Sequence, residues 1–222
     1  MAIAFDAATT GAKGGTGSTL TYSHTCTGSD LVLLVFVESR SNDVTGVTYA
    51  TVAMTQVGSA QVSGDGLTTN TAWRLAGPAT GANNVVVTIT GTNHVASTAL
   101  SYTGVDQTTP VANSAAATGS STTPSVNVTA TSTDQMVVDG AGTRMNATDT
   151  TTAGANQTER ADVTATGGDP NQQCFSSDEQ GANGTITMSW TLGNSRSWCT
   201  HAVVLNMVAA AGGNPWYAYA QQ

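Results

Sequence analysis

Charge is scarce in this chain: only 9% of its 222 residues are Asp, Glu, Lys or Arg, and just 6 of them are cationic, giving a formal net charge of -8. Binding to a phosphate backbone depends on clustered cations that release counterions, so nucleic acid is not an expected partner. An anionic membrane surface is excluded for the same reason, since no basic cluster exists. Long apolar runs are missing too. The longest, from Leu31 to Val37, is far short of the ~20 residues that cross a bilayer as a helix. The first residues, MAIAFDAATTGAKGG, lack a basic n-region, an apolar h-region and a cleavage site, so no secretory signal is expected. The 3 cysteines, Cys26, Cys174 and Cys199, match no metal-site spacing and cannot all pair within one chain. They read as buried thiols, with a Cys174–Cys199 bridge as the one conceivable pairing.

The composition that remains is rich in Thr, Ser, Gly, Ala and Asn, with 39% apolar residues. β-Branched Thr and Val suit a pleated surface, and Gly and Asn suit tight turns. Period-two alternation marks the strands. In STLTYSHTCTG, Leu20, Tyr22, His24 and Cys26 share one face and threonines and Ser23 the other. DLVLLVFVES is apolar on both faces, as a central strand covered on both sides would be. VTYATVAMTQVG, TAWRLA, NVVVTIT and HVASTALSYTGV follow.

The second half repeats this plan. TDQMVVDGAG follows Thr133-Asp134 as DLVLLVFVES follows Ser29-Asp30, and Gly81-Ala82-Asn83 reappears as Gly181-Ala182-Asn183 before another strand. RSWCTHAVVLNMV matches HVASTALSYTGV in place and character. The fold class expected is all-β: an antiparallel, jelly-roll-like β-sandwich with two pseudo-repeated halves. The segment between the halves, DQTTPVANSAAATGSSTTPS, reads as a crossover with short edge strands inside one domain, 1–208. A C-terminal extension, 209–222, loses the alternation.

Chemistry is hard to find. His24, His94 and His201 lie in separate strands, and the first and last share faces with apolar neighbours, as satisfied core histidines do. No nucleophile elbow, HExxH or P-loop is present. Asp178-Glu179 are strand neighbours that point to opposite faces and cannot flank one glycosidic bond. The loops around Asp65 and Asp169 each supply one carboxylate, which turn formation explains as well as Ca²⁺ does. No catalytic residue, metal or cofactor is expected. Trp73 and Trp190 read as core, and Trp198, opposite in phase to Cys199 and His201, as the best candidate for an exposed ring that stacks on a glycan.

The segments VTYATVAMTQVGSA, AWRLAGPATGANNVVVTITG and ALSYTGVDQTTPV, with TTAGANQTERAD further on, resemble a β-sandwich repeat of phage virion proteins and large bacterial extracellular proteins. Where that pattern carries Gly-Gly, this chain has Ala50-Thr51. The resemblance implies a structural or adhesive role and carries over no catalytic residue. The expected function is a non-enzymatic virion protein of a tailed phage, made in host cytoplasm: a capsid decoration or cement protein that binds the major capsid protein or another virion protein and forms homo-oligomers. The alternative is an extracellular or tail-fibre module that recognises cell-surface glycans.

The extension holds Pro215, Trp216, Tyr217 and Tyr219 after a Gly212-Gly213 pair. Each ring can bury about 150–250 Å² on a partner, which suits an anchoring arm. Deleting residues from Asn214 onward is expected to leave thermal stability unchanged while assembly or shell binding is lost. Retained assembly, or a lowered Tm of the monomer, would refute the anchor.

Overall fold

The chain reads from strand to strand with tight turns between, and no helix occurs among the described residues. The computed structural model describes residues 2–41, 43–145, 150–167 and 171–209. The first half contains β1 (Ala4–Lys13), β2 (Thr19–Cys26), β3 (Val32–Ser39), β4 (Val44–Tyr49), β5 (Val52–Ala53), β6 (Thr55–Val62), β7 (Thr69–Ala76), β8 (Gly81–Ile89) and β9 (Val95–Thr103). The second contains β10 (Val111–Ser121), β11 (Ser125–Thr131), β12 (Met136–Met145), β13 (Thr151–Ala153), β14 (Thr158–Ala165), β15 (Asn171–Gln180), β16 (Asn183–Leu192) and β17 (Arg196–Leu205).

The repeat seen in the sequence is a repeat of whole sandwiches. In the first half the sheets run β1-β9-β3-β7-β6 and β2-β8-β4-β5, a jelly-roll order. The second half gives β10-β17-β12-β15-β14 and β11-β16-β13, the same order except that β5 has no counterpart among the described residues. The segment between the halves supplies the edge strand β10 and leads into the edge strand β11, so its alanine-rich stretch is strand.

Three cores result. Leu33, Val35 and Val37 of β3 meet Val47, Tyr49, Val85 and Val87 inside the first sandwich. Val137 and Val204 meet Val128, Ile186 and Met188 inside the second, beside a smaller cluster of Phe175, Trp190 and Leu192. The third core joins the two five-stranded sheets back to back: Val32, Leu34, Phe36, Leu100 and Tyr102 pack against Met136, Val138, Cys174, Val203 and Leu205. This stacking explains why β3, β9, β12 and β17 are buried on both faces. All three cysteines are free, buried thiols, with no Cys174–Cys199 bridge.

The contacts at this seam are those of a pseudo-two-fold: β3 meets β12, β3 meets β15 as β12 meets β7, and β1 meets β14 as β10 meets β6. Under such symmetry equivalent positions face each other. Phe36 and Glu38 of β3 correspond to Gly140 and Gly142 of β12 in strand register. A methyl on Gly140 would overlap the Phe36 ring, and one on Gly142 the Glu38 carboxyl. Bulky side chains from one half are therefore received by glycine in the other.

Ala50 and Thr51 both adopt positive φ, 48° and 68°, between β4 and β5. The two-residue hairpin turn that glycines serve best is thus kept by residues that bear its strain.

Gly140→Ala is expected to destabilise the protein by about 3 kcal/mol through overpacking, read as a lower urea midpoint with unchanged m. Exchanging the pair, Phe36→Gly with Gly140→Phe, should recover part of that loss. A tolerated Gly140→Ala would show that the sheets do not approach this closely.

Candidate functional site

The ends of the seam are where polar side chains gather. At one end the Tyr102 hydroxyl and Arg160 Nε both donate to Asp178 Oδ2 at 2.8 Å, and the Arg160 guanidinium lies 4.0 Å from the Phe5 ring centre. Asp178 thus serves as a clamp between the sandwiches.

At the other end Glu38 is fully buried. Asn70 Nδ2 faces its Oε2 at 3.4 Å, Asn70 Oδ1 faces His201 Nδ1 at 2.7 Å, and His201 Nε2 faces the Ser59 carbonyl at 2.9 Å. With the amide in this orientation both ring nitrogens must donate, making an imidazolium and a carboxylate. Burial pushes the other way: it raises the Glu38 carboxyl well above its usual range and lowers the His201 imidazole. A buried, relayed ion pair is costly, so the neutral arrangement is favoured, with the amide turned over and Glu38 donating to it. Cys199 Sγ completes the group, 3.9 Å from the carboxyl.

Outside this relay a cleft of about 320 Å³ opens on the seam, lined by Asp65, Ser120, Arg144, Ser195, Arg196 and Ser197. Asp65 comes from the β6–β7 turn. Its Oδ1 accepts from the Ser63 hydroxyl at 2.6 Å and the Leu67 N–H at 3.1 Å, so the SGDG loop is a side-chain-closed turn. Burial opposes its charge, but these hydrogen bonds and the Arg144 cation hold its carboxyl below the ordinary range. Arg144, at the end of β12, meets Asp65 Oδ2 only loosely, at 3.6 Å, and its buried Nε has no partner among the described residues. Arg196 and Ser197 open β17.

The sequence-derived site residues fall elsewhere. Trp198 is not an exposed ring: it is 7% exposed, packs over Gly119 of β10 and donates its indole N–H to Ser121 Oγ at 3.0 Å. Its phase opposite His201 is real, but β17 is central to its sheet, and that opposite face points into the second sandwich. Trp73 and Trp190 are core. His24 sits inside the first sandwich, with Thr9 Oγ1 and Ser101 Oγ on its ring nitrogens at 2.8 and 3.1 Å. Pro215, Trp216, Tyr217 and Tyr219, like Asp169, lie outside the described residues. Among the described residues no three His, Cys, Asp or Glu side chains group as metal ligands. Compared with protein-family models, with curated proteins and with solved structures, the chain matches none.

One buried carboxylate stands apart from the seam. Asp139, inside the second sandwich, accepts from the Ser177 N–H and hydroxyl and from Trp190 Nε1 at 2.7 Å, yet burial pushes its carboxyl up to about 7. Between pH 4 and 7 the folded protein therefore holds a proton that the unfolded chain has lost, and Asp139 stabilises the fold less as pH rises through that window. His24, depressed by burial to about 4, acts in the opposite sense below pH 6.5. The quantity to measure is thus the difference between wild type and Asp139→Asn in denaturant. Wild type should lose stability relative to the variant as pH rises from 4 to 7, by up to about 1.4 kcal/mol per pH unit. Parallel curves would show that Asp139 keeps an ordinary carboxylate.

Proposed function

We propose that this chain is a non-enzymatic structural component of a tailed-phage virion, a capsid decoration or cement protein that binds the shell and itself. The phage context rests on the sequence segments that resemble virion sandwich repeats. The observation that supports an assembly role is the chemistry of the outer sheets. β2, β4, β5 and β8 on one side, and β11, β13 and β16 on the other, contain no Asp, Glu, Lys or Arg. Their outward residues are chiefly Thr, Ser and Asn. Thr21, Val86 and Thr48 stand side by side across the outer face of the first outer sheet.

Protein interfaces are depleted of charge at their centres, because docking must strip water from whatever lies there. Faces without ions dock at low desolvation cost, and hydroxyls can exchange water for partner groups. The first outer sheet, with Val86 added to its threonines, is the better candidate for the shell. His24 and His201 are buried, with a hydrogen-bond partner on each ring nitrogen.

In purified virions the chain is expected at a copy number comparable with that of the shell protein; a few copies per particle would overturn the decoration reading in favour of a tail component. Thr21→Lys, which puts a charge at the centre of the first outer face, should weaken shell binding by about tenfold or more. Its stability should change by no more than about 0.5 kcal/mol, as for other exposed substitutions.

A further inference from the structure

Two fully buried side chains from different halves meet across the seam without satisfying each other. Thr68, immediately before β7, and Gln172, near the start of β15, are each 0% exposed, and the Thr68 hydroxyl lies 3.4 Å from Gln172 Oε1. That is long for an O–H···O hydrogen bond. Gln172 Nε2, also buried, has no partner among the described residues. A buried amide with an orphaned donor is destabilising, and a hydroxyl enclosed beside it is a nucleophile held against an acyl group. We propose that Thr68 and Gln172 condense into an ester that joins the two sandwiches covalently across the seam, with release of ammonia.

The step balances within the chain. Thr68 Oγ1 attacks Gln172 Cδ, so the Oγ1–Cδ bond forms and the Cδ–Nε2 bond breaks. The hydroxyl proton passes to the departing nitrogen, which leaves as ammonia. The group lost is the orphaned one. Alcoholysis of an amide is slow and, bond for bond, uphill, and the site opposes both difficulties. Both backbones are fixed: the Thr68 N–H donates to Ser63 Oγ at 3.1 Å and its carbonyl accepts from the Ser63 N–H at 2.8 Å, while Gln172 is paired with Arg144 of β12 on one side and Ala165 of β14 on the other. Reactants oriented in this way reach effective concentrations of about 10⁵–10⁸ M. Burial keeps out the water that would hydrolyse the acyl group instead. Ammonia that escapes is protonated and diluted in bulk solvent, so the reverse reaction lapses.

Glu38 is placed to carry the proton. It pairs with Asn70, two residues along the strand from Thr68, and its carboxyl fills the gap at Gly142, two residues along β12 from the Arg144 that pairs with Gln172. Burial raises this carboxyl well above its usual range, so one oxygen can accept the hydroxyl proton while the other donates to the leaving nitrogen. The linkage is independent of the assembly role. It would close 104 residues of chain between the halves and oppose their separation.

The test is mass spectrometry of the purified full chain, intact and after denaturation and trypsin digestion. The intact mass is expected to fall short of the sequence mass by one ammonia. Residues 41–74, which hold Thr68, should appear joined to residues 161–196, which hold Gln172, and mild alkali should separate them as it does other esters. Thr68→Val, which keeps the shape of the side chain without its hydroxyl, should show the full mass and no joined peptide. Thr69→Val removes the neighbouring buried hydroxyl, which points to the opposite face, and should keep the joined peptide. Glu38→Gln should slow joining by about a hundredfold, and an unchanged rate would remove Glu38 from the step. The β signal in circular dichroism checks that each variant folds. Full intact mass in the folded wild type overturns the proposal. So does ammonia lost from residues 161–196 without joining, the mark of a succinimide at Asn183-Gly184, and so does a joined peptide that persists in Thr68→Val.

Discussion

Everything in this molecule depends on how closely two five-stranded sheets approach each other along β3 and β12. A pseudo-two-fold brings each position opposite its own equivalent, and two equivalent large side chains cannot share one space. The chain solves this by asymmetry: Phe36 and Glu38 from the first half fill the room left by Gly140 and Gly142 in the second. The glycines remove side-chain volume, so packing density is kept by the partner's ring and carboxyl. The halves therefore share an architecture but are not interchangeable, and the third core belongs to neither alone.

That asymmetry also decides where polar groups are buried. Glu38 enters a space where glycine leaves nothing to pair with it, so its needs are met by neighbours: Asn70, then His201, then the Ser59 carbonyl. A buried network of this kind costs free energy unless every member is satisfied. Its value is orientational, because hydrogen bonds align the two sheets where apolar contacts would let them slide. Thr68 and Gln172, another pair of equivalent positions, meet directly at 3.4 Å. The Tyr102–Asp178–Arg160 group does the same at the opposite end.

Much of this was legible in the sequence. Alternation located the strands, the Asp30 and Asp134 turns revealed the repeat, and the two-sided apolarity of residues 31–37 predicted cover on both faces. What covers the second face was not legible. A central strand of one sandwich with a layer on either side and a strand shared by two stacked sandwiches have the same local pattern. Trp198 failed for the same reason. Its phase relative to His201 was right, but phase gives a face and not the face's surroundings. The cleft could not be seen at all, since Asp65 and Arg144 are far apart in the chain and each has an ordinary local explanation: a turn carboxylate and a strand-end cation.

The distribution of charge links these layers to function. Seven outer strands hold no charged residue, while the seam holds Glu38, Asp65, Arg144, Arg160 and Asp178. Composition alone cannot produce that partition, because the same 20 charges could lie anywhere in the chain. Isolated threonine-rich sheets with no charge risk edge-to-edge pairing, which natural sheets oppose with lysines and inward charges. Here the outer sheets lack that protection, and their edge strands β2, β5, β11 and β13 carry only neutral side chains. The seam is where the two halves are held together, by the Tyr102–Asp178–Arg160 group at one end and the Glu38–Asn70–His201 relay at the other. The structure thus keeps ionic groups out of its outer sheets and ties the two halves together through polar side chains at the seam.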